Sequence, residues 1–137
     1  MRQDIESMVY DTVTRAVKEA YPSLSTASWY GVMPPSFPFA YIVQTQDSDW
    51  GPSLTSNHEN EAYSITFEVD VYSGLSSGRK AEAKAISNHI AAIMKAMGFR
   101  QTLGGRPIDM TDAKNRSLAR YFSRYEARVH NGLIHPI

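Results

Sequence analysis

The 137-residue sequence contains no cysteine and no long apolar run. Without cysteine the protein has no disulfides and no thiol chemistry, which fits a reducing compartment. No window approaches the ~18 consecutive apolar residues of a membrane span. The first residues, Met1 to Asp4, begin no apolar signal segment. We therefore expect neither a secretion signal nor a membrane partner.

An excess of charge of one sign is also missing, since 14 Lys and Arg balance 14 Asp and Glu. Dedicated nucleic-acid-binding proteins usually carry a basic excess, because neutralising phosphates supplies most of their affinity. The formal net charge of zero conceals an asymmetry along the chain. No Lys or Arg lies between Lys18 and Arg79, whereas eight basic residues face only three acidic ones from Lys95 to Arg128. The front half is acidic and the back half is basic.

The residue types that carry chemistry form no recognisable catalytic or metal-binding pattern. No two of the four histidines have the three- or four-residue helical spacing of a zinc site, and we interpret His89 as a helix-surface or partly buried residue rather than a ligand. The acids Asp47 and Asp49 share a predicted loop, as do Glu59 and Glu61, but Asp47-Ser48-Asp49 lacks the glycine and the distal glutamate of a calcium loop. We interpret them as solvated loop acids and predict no catalytic residue, metal site or cofactor.

Two segments have the periodicity of amphipathic helices. Apolar residues recur at three- and four-residue spacing from Ile5 to Ala20. The same spacing returns from Ala81 to Met97, where Ser76 or Ser77 is available as the N-cap and Gly98 is placed to end the helix. Each apolar stripe needs a sheet on which to pack.

Other segments have the pattern of strands. Apolar and polar residues alternate strictly from Tyr63 to Tyr72, which predicts a strand with one dry and one wet face in an antiparallel sheet. Further strands are predicted at an edge before a proline-rich turn, after that turn, and in the last third of the chain: Trp29–Met33, Phe39–Thr45, Arg100–Leu103, Pro107–Met110 and Leu118–Val129.

Residues 46–60 are polar and predict a long loop, and residues 131–137 predict a loosely held tail. No composition shift marks a linker, so residues 1–137 read as a single domain. The order of helices and strands predicts an α+β fold. We expect an antiparallel or mixed β-sheet with two α-helices packed on one face.

Charged residues share the outer faces of two predicted strands. The arginines of the last strand could form a basic stripe for nucleic acid or an acidic partner, or could pair with acids of the earlier strand. We favour cross-strand ion pairs. Phe122 lies among these charges and fits neither interpretation, which suggests that another subunit covers the face. The candidate interface residues are Glu68, Asp70, Arg120, Phe122, Arg124 and Arg128.

A resemblance to a known family rests on four segments. They are the strand Phe67-Glu68-Val69-Asp70-Val71-Tyr72-Ser73, the helix from Ala81 to Met97, the turn Gly98-Phe99-Arg100 and the strand start Arg120-Tyr121-Phe122-Ser123. In these segments and in its general layout, the chain resembles the tail terminator, or tail completion, proteins of long-tailed bacteriophages. These proteins take part in head–tail joining.

The resemblance implies a small α/β subunit that assembles as a hexameric ring and has no catalytic residues. Such a ring caps the finished tail tube, stops its polymerisation and provides the surface on which the head's neck proteins dock. DNA passes through the lumen without being read. The expected partners are other copies of the chain, a tail tube protein and a neck connector protein. The expected location is the virion, after assembly in the host cytoplasm.

The 46–60 loop has no counterpart in the segments that carry the resemblance. We hypothesise that it contacts the tail tube or the neck. The candidate contact residues are Asp47, Asp49, Trp50, Glu59 and Glu61.

Three alternatives remain open at this point. The nearest is another neck or head-completion connector of the same virion, which would differ in the end of the tail it binds. A second is a small enzyme whose active site forms between subunits. The third is a DNA-binding module that uses the stripe from Arg120 to Arg128, for which duplex binding would be tight and salt-sensitive.

Overall fold

The computed structural model describes residues 5–49, 62–130 and 133–135, without the side chains of residues 46–49. Within these residues the chain forms helix α1 (Ile5–Ala20), helix α2 (Arg79–Ala96) and one mixed, curled seven-stranded sheet. This confirms the predicted α+β fold. The strands are β1 (Ser25–Ala27), β2 (Phe39–Asp49), β3 (Ala62–Ser73), β4 (Arg100–Gly104), β5 (Ile108–Thr111), β6 (Ser117–His130) and β7 (Leu133–His135).

The sheet is built around the long strand β6. Its order is β1-β2-β3-β6-β4, with β1 parallel to β2 and the other pairs antiparallel. β3 pairs along one edge of β6, while β5, β4 and β7 pair in turn along the other edge. With 14 residues, β6 is long enough to pair with three short strands one after another along the same edge. The two long, charge-bearing strands β3 and β6 lie at the centre.

Both helices lie on the inner face of the sheet. The apolar stripe of α1 is buried through Ile5, Val9, Val13 and Val17, and it packs in one cluster with α2 residues such as Ile86, Ile90 and Met94. The alternating apolar residues of β3 complete this cluster: Tyr63, Ile65, Phe67, Val69 and Val71. Helical spacing and strand alternation thus bring one apolar surface from each element into a common core. The predicted packing of two helices on one face is confirmed.

Within the described residues, the outer face is also covered at its β1–β2 end. A second cluster contains Ala27, Phe39, Tyr41 and Val43 and packs against Val32 and other neighbours. The chain between β1 and β2 folds back across these strands. The face of β3 that the alternation predicted to be exposed to solvent is consequently buried at that end, where Asp70 is only 1% exposed.

The edge strand predicted at Trp29–Met33 is wrong. These residues form turns and bends, and the edge strand is instead Ser25–Ala27, parallel to the start of β2. The Trp29 ring lies so close to Gly31 that a Cβ at this glycine would meet a ring carbon at 1.9 Å. The aromatic residues of this segment favour a strand, but such residues also suit a segment that packs over the outer face of a sheet. The second role is the one that Trp29–Met33 has here.

Three further expectations need correction. Gln46–Asp49 belongs to β2 rather than to a loop, and the rest of the predicted 46–60 loop lies outside the described residues. Residues 131–137 were predicted to be loosely held, but Leu133–His135 forms strand β7, which pairs with β6 in an antiparallel ladder. Helix α2 begins after Gly78, which has φ 79° and provides no side-chain cap, so neither Ser76 nor Ser77 has that role.

Candidate subunit interface

The register of β3 and β6 brings the predicted interface residues together. Glu68 lies opposite Arg124, and Asp70 lies opposite Phe122. Because side chains alternate across a strand, these residues share the outer face. Arg128 lies on the same face opposite Ser64, nearer the other end of β6.

A charge-assisted contact on this face joins Arg120 and Asp70. Arg120 Nε donates to Asp70 Oδ1 and Arg120 Nη2 donates to Asp70 Oδ2, both at 2.8 Å. This is the bidentate geometry in which guanidinium–carboxylate pairs are strongest. Burial raises the pKa of Asp70, and the hydrogen bonds from Arg120 oppose that rise. The same hydrogen bonds raise the pKa of Arg120. The predicted cross-strand ion pair is confirmed here.

A second ion pair links Arg124 to Glu68 at 3.2 Å. The other oxygen of Glu68 accepts a hydrogen bond of 3.0 Å from the Tyr30 hydroxyl. Burial raises the pKa of Tyr30, and the hydrogen bond to Glu68 raises it further. Glu68 therefore ties the covering segment between β1 and β2 to the centre of the sheet.

Phe122 has an intramolecular role that its sequence pattern did not reveal. Its ring lies between two guanidinium groups, 5.5 Å from Arg120 Cζ and 5.7 Å from Arg124 Cζ. Cations at this distance are attracted to the ring face, so one aromatic side chain spaces and orients both arginines. The half-buried ring thus has partners within its own chain, on the face that we assigned to another subunit.

Tyrosines form a layer beside the ion pairs. The Tyr72 hydroxyl donates to Asp70 Oδ2 at 3.4 Å, and the rings of Tyr72 and Tyr41 meet edge to face at 6.1 Å. Burial raises the pKa of Tyr72 to about 12, with the Asp70 charge adding to the rise. Burial also raises the pKa of Tyr41. Strand alternation places Tyr72 on the face of Asp70, so this neighbour was predictable, whereas no pattern placed Tyr30 against Glu68.

The open part of the outer face contains a shallow groove of about 540 Å³. Hydroxyl groups and charges line it, which suits hydrogen bonding to a polar surface rather than enclosure of an apolar ligand. Two of the predicted interface residues are in its wall. The lining residues are Thr45, Thr66, Glu68, Thr102, Arg124 and Glu126.

The predicted tube or neck contacts fall on side chains outside the described part of the chain. Asp47 and Asp49 belong to β2, but their side chains lie outside the described part of the chain. Trp50, Glu59 and Glu61 fall outside the described residues altogether. Their assignment stays a prediction.

Among residues 5–49, 62–130 and 133–135, no group of three or more His, Cys, Asp or Glu side chains could hold a metal ion. In the same ranges no helix is long and apolar enough to cross a membrane. His89 is partly buried, as predicted, and its ring meets Tyr21 edge to face at 5.9 Å.

Comparison of the sequence with models of known protein families gives no match, and comparison with curated proteins gives none either.

Proposed function

We propose that this chain is a structural virion protein, the tail terminator of a long-tailed bacteriophage. Several copies form a ring, hexameric in the resembling family, that caps the tail tube and stops its polymerisation. The opposite surface of the ring receives the neck. The ring encloses a lumen through which DNA passes without sequence recognition, and the subunit performs no catalysis.

The observation that carries the proposal is that the segments of the resemblance are contiguous in space. Phe67–Ser73 and Arg120–Ser123 belong to β3 and β6, which are direct neighbours in the sheet. Helix α2 packs on both strands, and Phe99 of the turn after it meets Phe67 edge to face at 5.6 Å. If the four segments belong to one fold shared with the family, we expect them to pack against each other as they do here. Their contiguity supports a common fold rather than four chance similarities.

The charged outer face supports the assembly part of the proposal. Its ion pairs are partly exposed: the Arg120 and Arg124 side chains are 42% and 43% accessible. The ion pairs, with the Phe122 ring between the two arginines, present a polar surface of defined shape, and such a surface favours specific over non-specific association. A neighbouring subunit with complementary polar groups would dock without leaving an unpaired buried charge.

The decisive experiment uses purified protein and tail tubes that lack a terminator. Light scattering across a concentration range, with negative-stain images of the same fractions, should reveal rings with an open lumen. Added protein should bind one end of each tube and stop elongation. Tubes that grow to the same lengths with and without the protein would contradict the proposal. Binding to heads instead of tube ends would favour a head-completion connector.

A further inference from the structure

The sheet has two outer edges that lack a partner strand within the described residues. On one side, β4 pairs with β6 and with no other described strand. On the other side, β1 covers β2 only at Phe39–Tyr41, so the rest of β2 pairs with β3 alone. An unpaired edge exposes a row of N–H and C=O groups that can accept another strand.

The two open edges lie at the same level of the sheet. Gln46 of β2 is in register with Thr66, Thr66 with Glu126, and Glu126 with Arg100 of β4. The neighbouring row, one position along β3, β6 and β4, runs from Gln44 to Gln101 through Phe67 and Tyr125. A second copy displaced sideways by the width of the sheet would therefore bring its β2 edge alongside β4 without sliding along the strands.

The β4 edge has space and basic charge. An open cavity of about 610 Å³ lies between this strand and the end of α2. Lys95 and Arg100 are among its lining residues, and none of the lining residues is acidic. The Gln101 side-chain amide donates to the Leu103 carbonyl at 3.4 Å, a long hydrogen bond that an added strand could replace.

The β2 edge carries the opposite charge. The uncovered stretch, residues 42–49, contains Asp47 and Asp49 and no basic residue. The acidic front half of the sequence and its basic back half thus supply the strands at opposite edges of one sheet.

We infer that β4 of one copy pairs with the second half of β2 in the next copy, so that the sheet continues from subunit to subunit. This inference rests on the self-assembly part of the proposed function. Because the two edges differ, the contact is heterologous, and such a contact closes into a ring when the rotation between neighbouring copies divides a full turn. Pairing of β4 with β4, or of β2 with β2, would place like charges side by side, which disfavours two-fold dimers.

Both edges contain a register shift, between Gln44 and Gln46 in β2 and between Gln101 and Leu103 in β4. Such bulges shorten the stretch that can form a regular ladder. The contact is consequently short, and its strength depends on charge complementarity and on the number of copies that close together.

A charge exchange tests the contact. Variant one, Lys95→Glu with Arg100→Glu, makes the β4 edge acidic, and variant two, Asp47→Lys with Asp49→Lys, makes the β2 edge basic. Each variant alone should associate about tenfold more weakly than wild type at low salt. An equimolar mixture should recover association, because alternating copies restore opposite charges at every contact. The matched control is Arg15→Glu with Lys84→Glu, which changes two exposed helix residues.

Disulfide trapping gives a second, independent measurement, because the chain has no cysteine of its own. In Thr45→Cys/Thr102→Cys, β3 and β6 separate the two positions by about 14 Å, too far for a bridge within one chain. Oxidation should produce a ladder of covalent oligomers that ends at the ring size. The control Lys84→Cys/Thr102→Cys should not.

The outcomes separate this inference from the proposed function. Recovery in the mixture together with the ladder supports edge pairing. Rings that form equally in every variant, without the ladder, overturn it and leave tube capping intact. A protein that stays monomeric at its highest soluble concentration also overturns it, and tube capping is then decided by the elongation assay.

Discussion

Arg120 and Asp70 are fifty residues apart in sequence, and two hydrogen bonds of 2.8 Å join their side chains across β3 and β6. The carboxylate is almost completely buried, whereas the guanidinium reaches the surface. A buried charge depends on its partner more than an exposed one does.

Arg120→Met should lower the free energy of unfolding by about 1–3 kcal/mol, since Asp70 would lose both charge-assisted hydrogen bonds inside the fold. The estimate is below that for a fully enclosed pair, because water reaches the guanidinium site. Arg124→Met is the matched control. Its partner Glu68 is less buried, so the loss should stay under about 1 kcal/mol. Urea unfolding of both variants measures the difference, and equal losses would contradict the prediction.

The pH dependence of stability should reflect Asp70. Burial raises the pKa of this carboxyl above its ordinary value of 3.8, despite Arg120. The folded protein then holds the proton more tightly than the unfolded chain, so the contribution of Asp70 to stability is greatest below the unfolded pKa. It declines as the pH rises through the folded pKa.

Asp70→Asn removes this dependence. As the pH falls from about 7 to about 4, the unfolding free energy of wild type should improve relative to that of the variant. Denaturation curves for both proteins across that range provide the measurement. Parallel pH profiles would show that Asp70 does not titrate differently in the two states.

Arg124→Glu should weaken self-association at low salt. In place of the Arg124–Glu68 ion pair, whose atoms lie 3.2 Å apart, the variant has two acids in the wall of the outer groove, and a neighbour would meet both. Light scattering at low and high salt measures the effect, because screening reduces surface electrostatics. Lys84→Glu, on the exposed face of α2, is the control. Association that responds neither to the substitution nor to salt would refute charge complementarity on this face.

Replacing residues 50–60 with a short glycine-containing turn should preserve the fold and abolish tube capping. The strands on either side, β2 and β3, pair as far as Asp49 and Tyr63 without contribution from the replaced residues. Circular dichroism and thermal unfolding test the fold, and the tube elongation assay tests capping. Trp50→Ala in the full chain separates a specific contact from a change in loop length. Capping that survives the replacement would exclude the loop as the tube contact.

Much of the fold was predictable because it depends on local periodicity. The stripe Ile5–Val17 and the alternation Tyr63–Tyr72 bury the faces that their spacing indicated. Gly98, with φ 104°, follows α2 as expected for a residue that adopts the left-handed conformation at a helix end. The ion pairs of Glu68 and Asp70 with the β6 arginines were predictable once both strands were known.

Other features depended on contacts between distant segments. Tyr30 reaches Glu68 only because the chain folds back over the outer face, and Phe122 is held only because two arginines flank it in three dimensions. Short edge elements such as β1 and β7 carry too few residues for a period to be visible. Their existence follows from the strands to which they are bonded.

The sequence by itself determined two helices, the two central strands and the absence of thiol chemistry, because these follow from spacing and composition. Only the tertiary structure decided which side chains meet on the outer face and which sheet edges lack a partner strand within the described residues. Those properties arise from strand order and register, which bring together residues that no local pattern connects. Asp70 shows both contributions. The alternation of the sequence predicted that it lies on the polar face of β3, and the folded chain buries it there against Arg120.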